Sequence, residues 1–125
     1  MKTIISVIFF LLLTTISNQA LAHKSTGVLE KECAVNNFQS CASLGLNFDI
    51  GLGVRQDKSK SLVLYEKACN GGYAHGCFSS GLTYEIGRGV PQDKLKALQL
   101  YGKACNLKEK KGCEQHARLI SQGVQ

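Results

Sequence analysis

The sequence predicts an all-α fold, an α/α solenoid of about six helices built on a 36-residue repeat and stapled by disulfides. Three observations predict it. Six cysteines (Cys33, Cys41, Cys69, Cys77, Cys105 and Cys113) follow one another at separations of 8, 28, 8, 28 and 8. A Cys-x7-Cys unit therefore recurs every 36 residues, and a period between about 20 and 50 marks a stacked array. Residues 33–68 set beneath residues 69–104 agree, without gaps, at 18 of 36 positions. Apolar residues inside each unit return at three- and four-residue spacing, and the period-two alternation of strands is missing.

The first element is an address. Lys2 supplies a positive start, residues 4–16 are apolar apart from Ser6, Thr14 and Thr15, and Ala20-Leu21-Ala22 closes the run with a small-x-small ending. That order is the mark of a secretory signal, here expected over residues 1–22. The apolar run is shorter than the roughly 20 residues that span a bilayer, so no transmembrane anchor is expected after cleavage. The first cysteine is Cys33, too far along to carry a lipid. The mature chain is expected to start at His23, to form one repeat domain over residues 23–125, and to be periplasmic or secreted.

The repeat units follow in order: 33–68, 69–104 and a partial unit over 105–123. Val28-Leu29-Glu30-Lys31-Glu32-Cys33 mirrors Leu64-Tyr65-Glu66-Lys67-Ala68-Cys69, so a half-unit precedes the first. Asp57 and Asp93 are placed to cap a helix with a side-chain oxygen. Lys60 and Lys96 stand three residues on, so the capping box is incomplete. Ala97, Leu98, Leu100, Tyr101 and Ala104 make the apolar stripe of that helix. Asn70-Gly71-Gly72 ends its earlier copy, since glycine accepts a left-handed backbone. The next helix carries Cys77, Gly81, Leu82, Tyr84 and Ile86 and runs to Gly87. Gly51-x-Gly53 and Gly87-x-Gly89 read as helix–helix turns. A dinucleotide loop would need a preceding strand and a third glycine.

An even cysteine count in an exported chain predicts disulfides. Six cysteines allow many pairings, but a repeat favours the same one in each copy: Cys33–Cys41, Cys69–Cys77 and Cys105–Cys113. Zinc ligands are normally two to four residues apart, which Cys-x7-Cys does not satisfy. No metal and no cofactor is expected. The chain holds 15 Lys and Arg against 9 Asp and Glu, a net charge of +6 that becomes +5 once Lys2 is removed. Such a charge favours anionic lipids, cell-wall polymers or acidic proteins. Nucleic acid is excluded as a partner by the compartment and by the lack of interleaved Arg and aromatic residues. Lys108, Lys110 and Lys111, with Glu109 among them, read as a solvated helix face.

The motif Leu44-Gly45-x2-Phe48-x2-Gly51-x-Gly53-Val54-x2-Asp57 resembles a Sel-1-like repeat, a relative of the tetratricopeptide repeat. Gly81-x2-Tyr84-x2-Gly87-x-Gly89-Val90-Pro91-x-Asp93-x2-Lys96-Ala97 is closer still. Lys67-Ala68-Cys69 and Lys103-Ala104-Cys105 stand where ordinary members carry Ala-Ala. With Gly76-Cys77 and Gly112-Cys113, the chain is similar over roughly residues 28–123 to the secreted cysteine-rich Sel-1-like proteins often labelled Hcp-like β-lactamases. Ser80 replaces the usual Leu, and Phe48 the usual Tyr. The resemblance implies 36-residue helix pairs with one disulfide per repeat. It further implies two functions, a protein-interaction scaffold or a protein that binds penicillin and weakly hydrolyses β-lactams.

The residues themselves give the hydrolase little. A serine enzyme of that kind needs Ser-x-x-Lys, which is absent from the sequence. Lys24-Ser25-Thr26-Gly27 loosely matches a Lys-Thr-Gly element, in a stretch expected to be frayed. Gly76-Cys77-Phe78-Ser79-Ser80-Gly81 misses the nucleophile elbow. His23, His75 and His116 hold unrelated repeat positions, His75 an exposed helix start and His116 a partly packed one. Stacked helix pairs instead form an extended surface for a partner. Positions that change between repeats are its candidates: Phe38 (Ala74 in the next unit), Asn47 with Thr83, and Leu52 with Arg88. They are equally readable as solvent positions. The expected function is an exported module that binds a protein or envelope ligand. A β-lactam-binding hydrolase, taking β-lactam or peptidoglycan-like small molecules, is the alternative. An immunity or inhibitor protein against an exported toxin is a second.

Overall fold

The computed structural model describes Ile4 and residues 24–125. The signal expected over 1–22 therefore lies, Ile4 apart, outside the described residues. From Lys24 onward there are six helices: α1 (Thr26–Ala34), α2 (Phe38–Ile50), α3 (Lys58–Asn70), α4 (Ala74–Ile86), α5 (Lys94–Asn106) and α6 (Lys110–Ser121). No strand occurs among the described residues, and none of these helices is long and apolar enough to cross a membrane. Each helix packs on its neighbours in the chain, and α2 also touches α4. The result is an α/α solenoid in which α2–α3 and α4–α5 are complete pairs, preceded by the half-pair α1 and followed by α6.

Local signals set the helix ends. Asp57 Oδ1 accepts from the Lys60 amide at 3.0 Å, and Asp93 Oδ1 from the Lys96 amide at 2.9 Å. Those bonds satisfy amides that the first helical turn leaves without intrahelical partners. Helices α2 and α4 stop at Gly51 and Gly87, both left-handed with φ of 73° and 78°. In the turn after α3 one of the two expected glycines supplies the left-handed backbone. Gly71 has an ordinary φ of −80°, and the left-handed residue is Gly72 at 87°, matched one period away by Asn36 at 64° and Lys108 at 72°. Gly71 is small for another reason: a Cβ there would stand 2.3 Å from the Phe38 ring. The start of the array also corrects the reading of Lys24-Ser25-Thr26-Gly27 as frayed. Ser25 is the N-cap residue of α1 and Thr26 its first helical residue.

Helices approach closely where the repeat places small residues. A Cβ on Gly76 would lie 2.7 Å from Ala68 Cβ and 2.8 Å from the Tyr65 carbonyl. Gly112 meets Ala104 Cβ at 2.7 Å in the next copy. At the first junction the same two positions are Glu32 and Ser40, and the Ser40 hydroxyl donates to the Glu32 carboxylate. A hydrogen bond thus stands there in place of a close apolar approach. The three bridges are Cys33–Cys41, Cys69–Cys77 and Cys105–Cys113, with Cα separations of 4.7, 4.4 and 4.4 Å. Each ties the last turn of one helix to the first turn of the next.

The core runs along the array. Cys33 and Cys41 pack in one cluster with Leu29, Leu44, Phe48, Tyr65 and Ala68. Cys69 and Cys77 join Ala104, Phe78 and Leu100, and Ala97, Tyr101 and Leu119 make a third cluster. Helix α6 buries Leu119 completely but turns polar elsewhere. Glu114, Arg118 and Gln122 occupy the positions of Phe78, Leu82 and Ile86.

Candidate functional site

The even-numbered helices carry the open face. Residues 39, 43, 46 and 50 fall on one side of α2 at helical spacing, as do 75, 79, 82 and 86 on α4. Leu46, Ile50 and Ile86 are 47%, 57% and 56% exposed, and Leu82 is partly exposed. Because α2 and α4 touch, these four side chains form an apolar ladder across the two repeats. On α6 the ladder stops at Arg118 and Gln122.

A groove of about 350 Å³ opens beside the ladder at the first repeat. Leu29, Leu46 and Leu52 give it apolar walls, and Lys24, Asn37, Gln39, Ser40, Ser43 and Asn47 give it polar ones. Several of these polar groups are already engaged. Asn37 Oδ1 accepts from the Ser40 amide at 3.2 Å, and Asn47 donates to Thr26 Oγ1 at 3.4 Å. Lys24 Nζ lies 2.9 Å from Glu32 Oε2. The Ser40 hydroxyl and then Lys24 hold the Glu32 carboxyl below its usual range.

The four candidate binding residues do not converge. Asn47 is buried and lines the groove. Thr83, its counterpart, is also buried, and its hydroxyl donates to the Ser79 carbonyl at 2.9 Å. Neither is a solvent position, because both follow a ladder leucine and so turn inward. Phe38 is half-buried on Gly71 and lines a different groove with Val63, Glu66 and Lys67. Arg88 is exposed and lies 3.4 Å from Asp49 Oδ2. The ladder, and the Glu32–Ser40 contact at the groove, were not singled out from the sequence. The contact was visible there: positions 32 and 40 depart together from Ala68/Gly76 and Ala104/Gly112.

Asp49 and Glu85 share a repeat position and both anchor charges at the helix junctions. Asp49 binds Lys58 at 2.7 Å. Glu85 accepts from Tyr101 Oη at 2.8 Å and from Arg118 at 2.5 Å. Burial works against the charged Glu85, but the Arg118 and Tyr101 hydrogen bonds outweigh it and hold its carboxyl low. A folded-state value below the unfolded one adds stability above the unfolded value, and that stability is lost as pH falls through the folded value. Urea midpoints of the native protein should therefore drop below about pH 4.5 more steeply than those of Glu85→Gln. Parallel curves would remove Glu85 as the source.

All six cysteines are paired. His75 is exposed and stacks on Phe78 at 6.2 Å, and His116 is partly buried against Gly102. Among the described residues no three His, Cys, Asp or Glu stand close enough to hold a metal ion.

Comparison with known proteins agrees with this architecture. The Sel1 repeat matches residues 39–73 and 74–109, which are the pairs α2–α3 and α4–α5. No curated protein sequence matches the chain. Among solved structures, Helicobacter pylori cysteine rich protein B is 30% identical, with a TM-score of 0.69 over 71% of this chain and 67% of that one. A Sel1 repeat protein from Oxalobacter formigenes is also 30% identical, with a TM-score of 0.69 over 70% of this chain. The match spans 36% of the Oxalobacter chain. A protective antigen of uropathogenic Escherichia coli with an SLR fold shares the fold at 24% identity and a TM-score of 0.76, over 79% of this chain and 21% of that one. The chain belongs to the Sel1 repeat family.

Proposed function

We propose that the protein is an exported binding module that holds a protein or cell-envelope ligand on the face of its even-numbered helices. The observation that carries this reading is the apolar ladder of Leu46, Ile50, Leu82 and Ile86 beside the groove, left without a partner on a stapled frame. Exposed apolar side chains gathered on one face mark an interaction surface more than scattered ones do. Sel1 repeat arrays typically serve as protein-interaction modules, and three disulfides suit an oxidising compartment. The net charge favours an acidic partner.

The test uses the oxidised protein immobilised over envelope extract and purified cell-wall polymer, beside Leu46→Asp and Ile86→Asp. Val63→Asp is the control, since Val63 is 64% exposed on α3. The ladder variants should retain the ligand at least about tenfold less, as expected where a few buried anchors dominate an interface, and the control should match wild type. Equal retention by all four proteins would overturn the face. Sustained turnover of a chromogenic cephalosporin by the wild-type protein would overturn the reading in favour of the hydrolase.

A further inference from the structure

We propose that Cys105–Cys113 is a thiol-exchange site, the one bridge of the three that a small anionic thiol opens while the other two stay closed. Two independent features single it out. The first is access. Cys33, Cys41, Cys69 and Cys77 are 4%, 0%, 1% and 0% exposed. The first bridge shares a cluster with Ala68 and Leu64, the second with Ala104 and Leu100, in each case residues of a later helix. At the third bridge, by contrast, Cys105 and Cys113 are both partly exposed.

The second feature is charge. Lys108, Lys110 and Lys111 stand where the first unit has Asn36, Phe38 and Gln39 and the second has Gly72, Ala74 and His75. Lys103 adds a fourth cation in the last turn of α5. Cations around a reactive centre raise the local concentration and the arrival rate of an anionic reactant. Lys31 and Lys67 match Lys103 at the other two bridges, so Lys108, Lys110 and Lys111, with Glu109 and Glu114 among them, are what distinguish this one.

The reaction is an ordinary exchange. An external thiolate attacks Cys105 Sγ, a new S–S bond forms, and the Cys105–Cys113 bond breaks. Cys113 leaves with the electron pair as a thiolate. Its place in the first turn of α6, beside Lys110 and Lys111, stabilises that anion, whereas Cys105 sits at the end of α5, where the helix field opposes one. The better leaving thiolate decides which sulfur is attacked. A second thiolate then displaces Cys105, leaving two protein thiols and one oxidised small-molecule disulfide. Opening the bridge cuts the covalent tie between α5 and α6, whose Leu119 packs with Ala97 and Tyr101.

The oxidised protein should be incubated with glutathione, quenched with N-ethylmaleimide at intervals and mapped by peptide mass spectrometry. Cys105 and Cys113 should be modified about tenfold sooner than the other four cysteines, with the first glutathione adduct on Cys105. Simultaneous opening of all three bridges, or earlier opening of another, would overturn the proposal. The electrostatic part is read from the rate with glutathione divided by that with cationic cysteamine. In Lys110→Glu/Lys111→Glu that ratio should fall severalfold. Because it compares two thiols on one protein, a change in folding leaves it standing; an unchanged ratio would overturn the role of the lysines.

Discussion

Complete reduction of the six cysteines is expected to unfold the protein, with loss of helical circular dichroism and of any cooperative thermal transition. The helices are 9, 13, 13, 13, 13 and 12 residues long. Helices under about 12–15 residues are marginal alone in water, so they depend on their neighbours. The bridges remove freedom from the unfolded chain. For so short a loop the chain-entropy estimate is roughly 2.5 kcal/mol each, or about 7.5 kcal/mol for three. Small domains are commonly stable by about 5–15 kcal/mol, so the bridges are comparable with the whole margin. A helical, cooperatively melting protein in strong reductant would show that packing suffices without them.

Tyr101→Ala is expected to have the largest effect of any single substitution, a loss of about 3–5 kcal/mol, the range for deleting a buried large aromatic ring. Tyr101 has no exposed surface and lies between helices. Its ring takes the space that Gly81 leaves open and stands 5.7 Å from Phe78, while its hydroxyl donates to Glu85. Tyr101→Phe separates the two contributions. It keeps the ring but leaves Glu85 to Arg118 alone, at a cost of about 1–3 kcal/mol. Urea denaturation should rank wild type above Phe and Phe above Ala. A loss below about 1 kcal/mol for Ala would mean that α4, α5 and α6 close over the gap, which well-packed interiors seldom do.

Much of this fold is legible because repetition turns one sequence into an internal comparison. Cys33/Cys69/Cys105 and Cys41/Cys77/Cys113 fix the period, and Asp57/Asp93 with Gly51/Gly87 fix helix starts and stops. These residues answer to local backbone needs that recur unchanged. The binding face was less legible, since variation between repeats has two physical sources. Asn47 and Thr83 differ because each satisfies its own buried polar partner. Phe38 differs from Ala74 because Gly71 leaves room for a ring. Leu46 and Leu82, by contrast, are unvaried, as are Ile50 and Ile86, and an apolar residue at helical spacing reads as core until the packing shows it exposed. At 36, 72 and 108 the left-handed backbone recurs as Asn, Gly and Lys, so the conformation is set by the bridge and turn around it more than by one residue type.

The bridges between neighbouring helices have a consequence for how such chains can grow. Any window of 36 residues taken from 33–113 contains two cysteines, either a bonded pair or one that closes the bridge behind it and one that opens the bridge ahead. A tandem duplication inserted anywhere before α6 therefore restores every partnership and adds one bridge, with no orphan thiol. Glu114, Arg118 and Gln122 stay at the rim whatever the number of units. Gene length can thus drift by whole units while the oxidative folding pattern stays the same. A deletion that removes one cysteine of a pair strands the other.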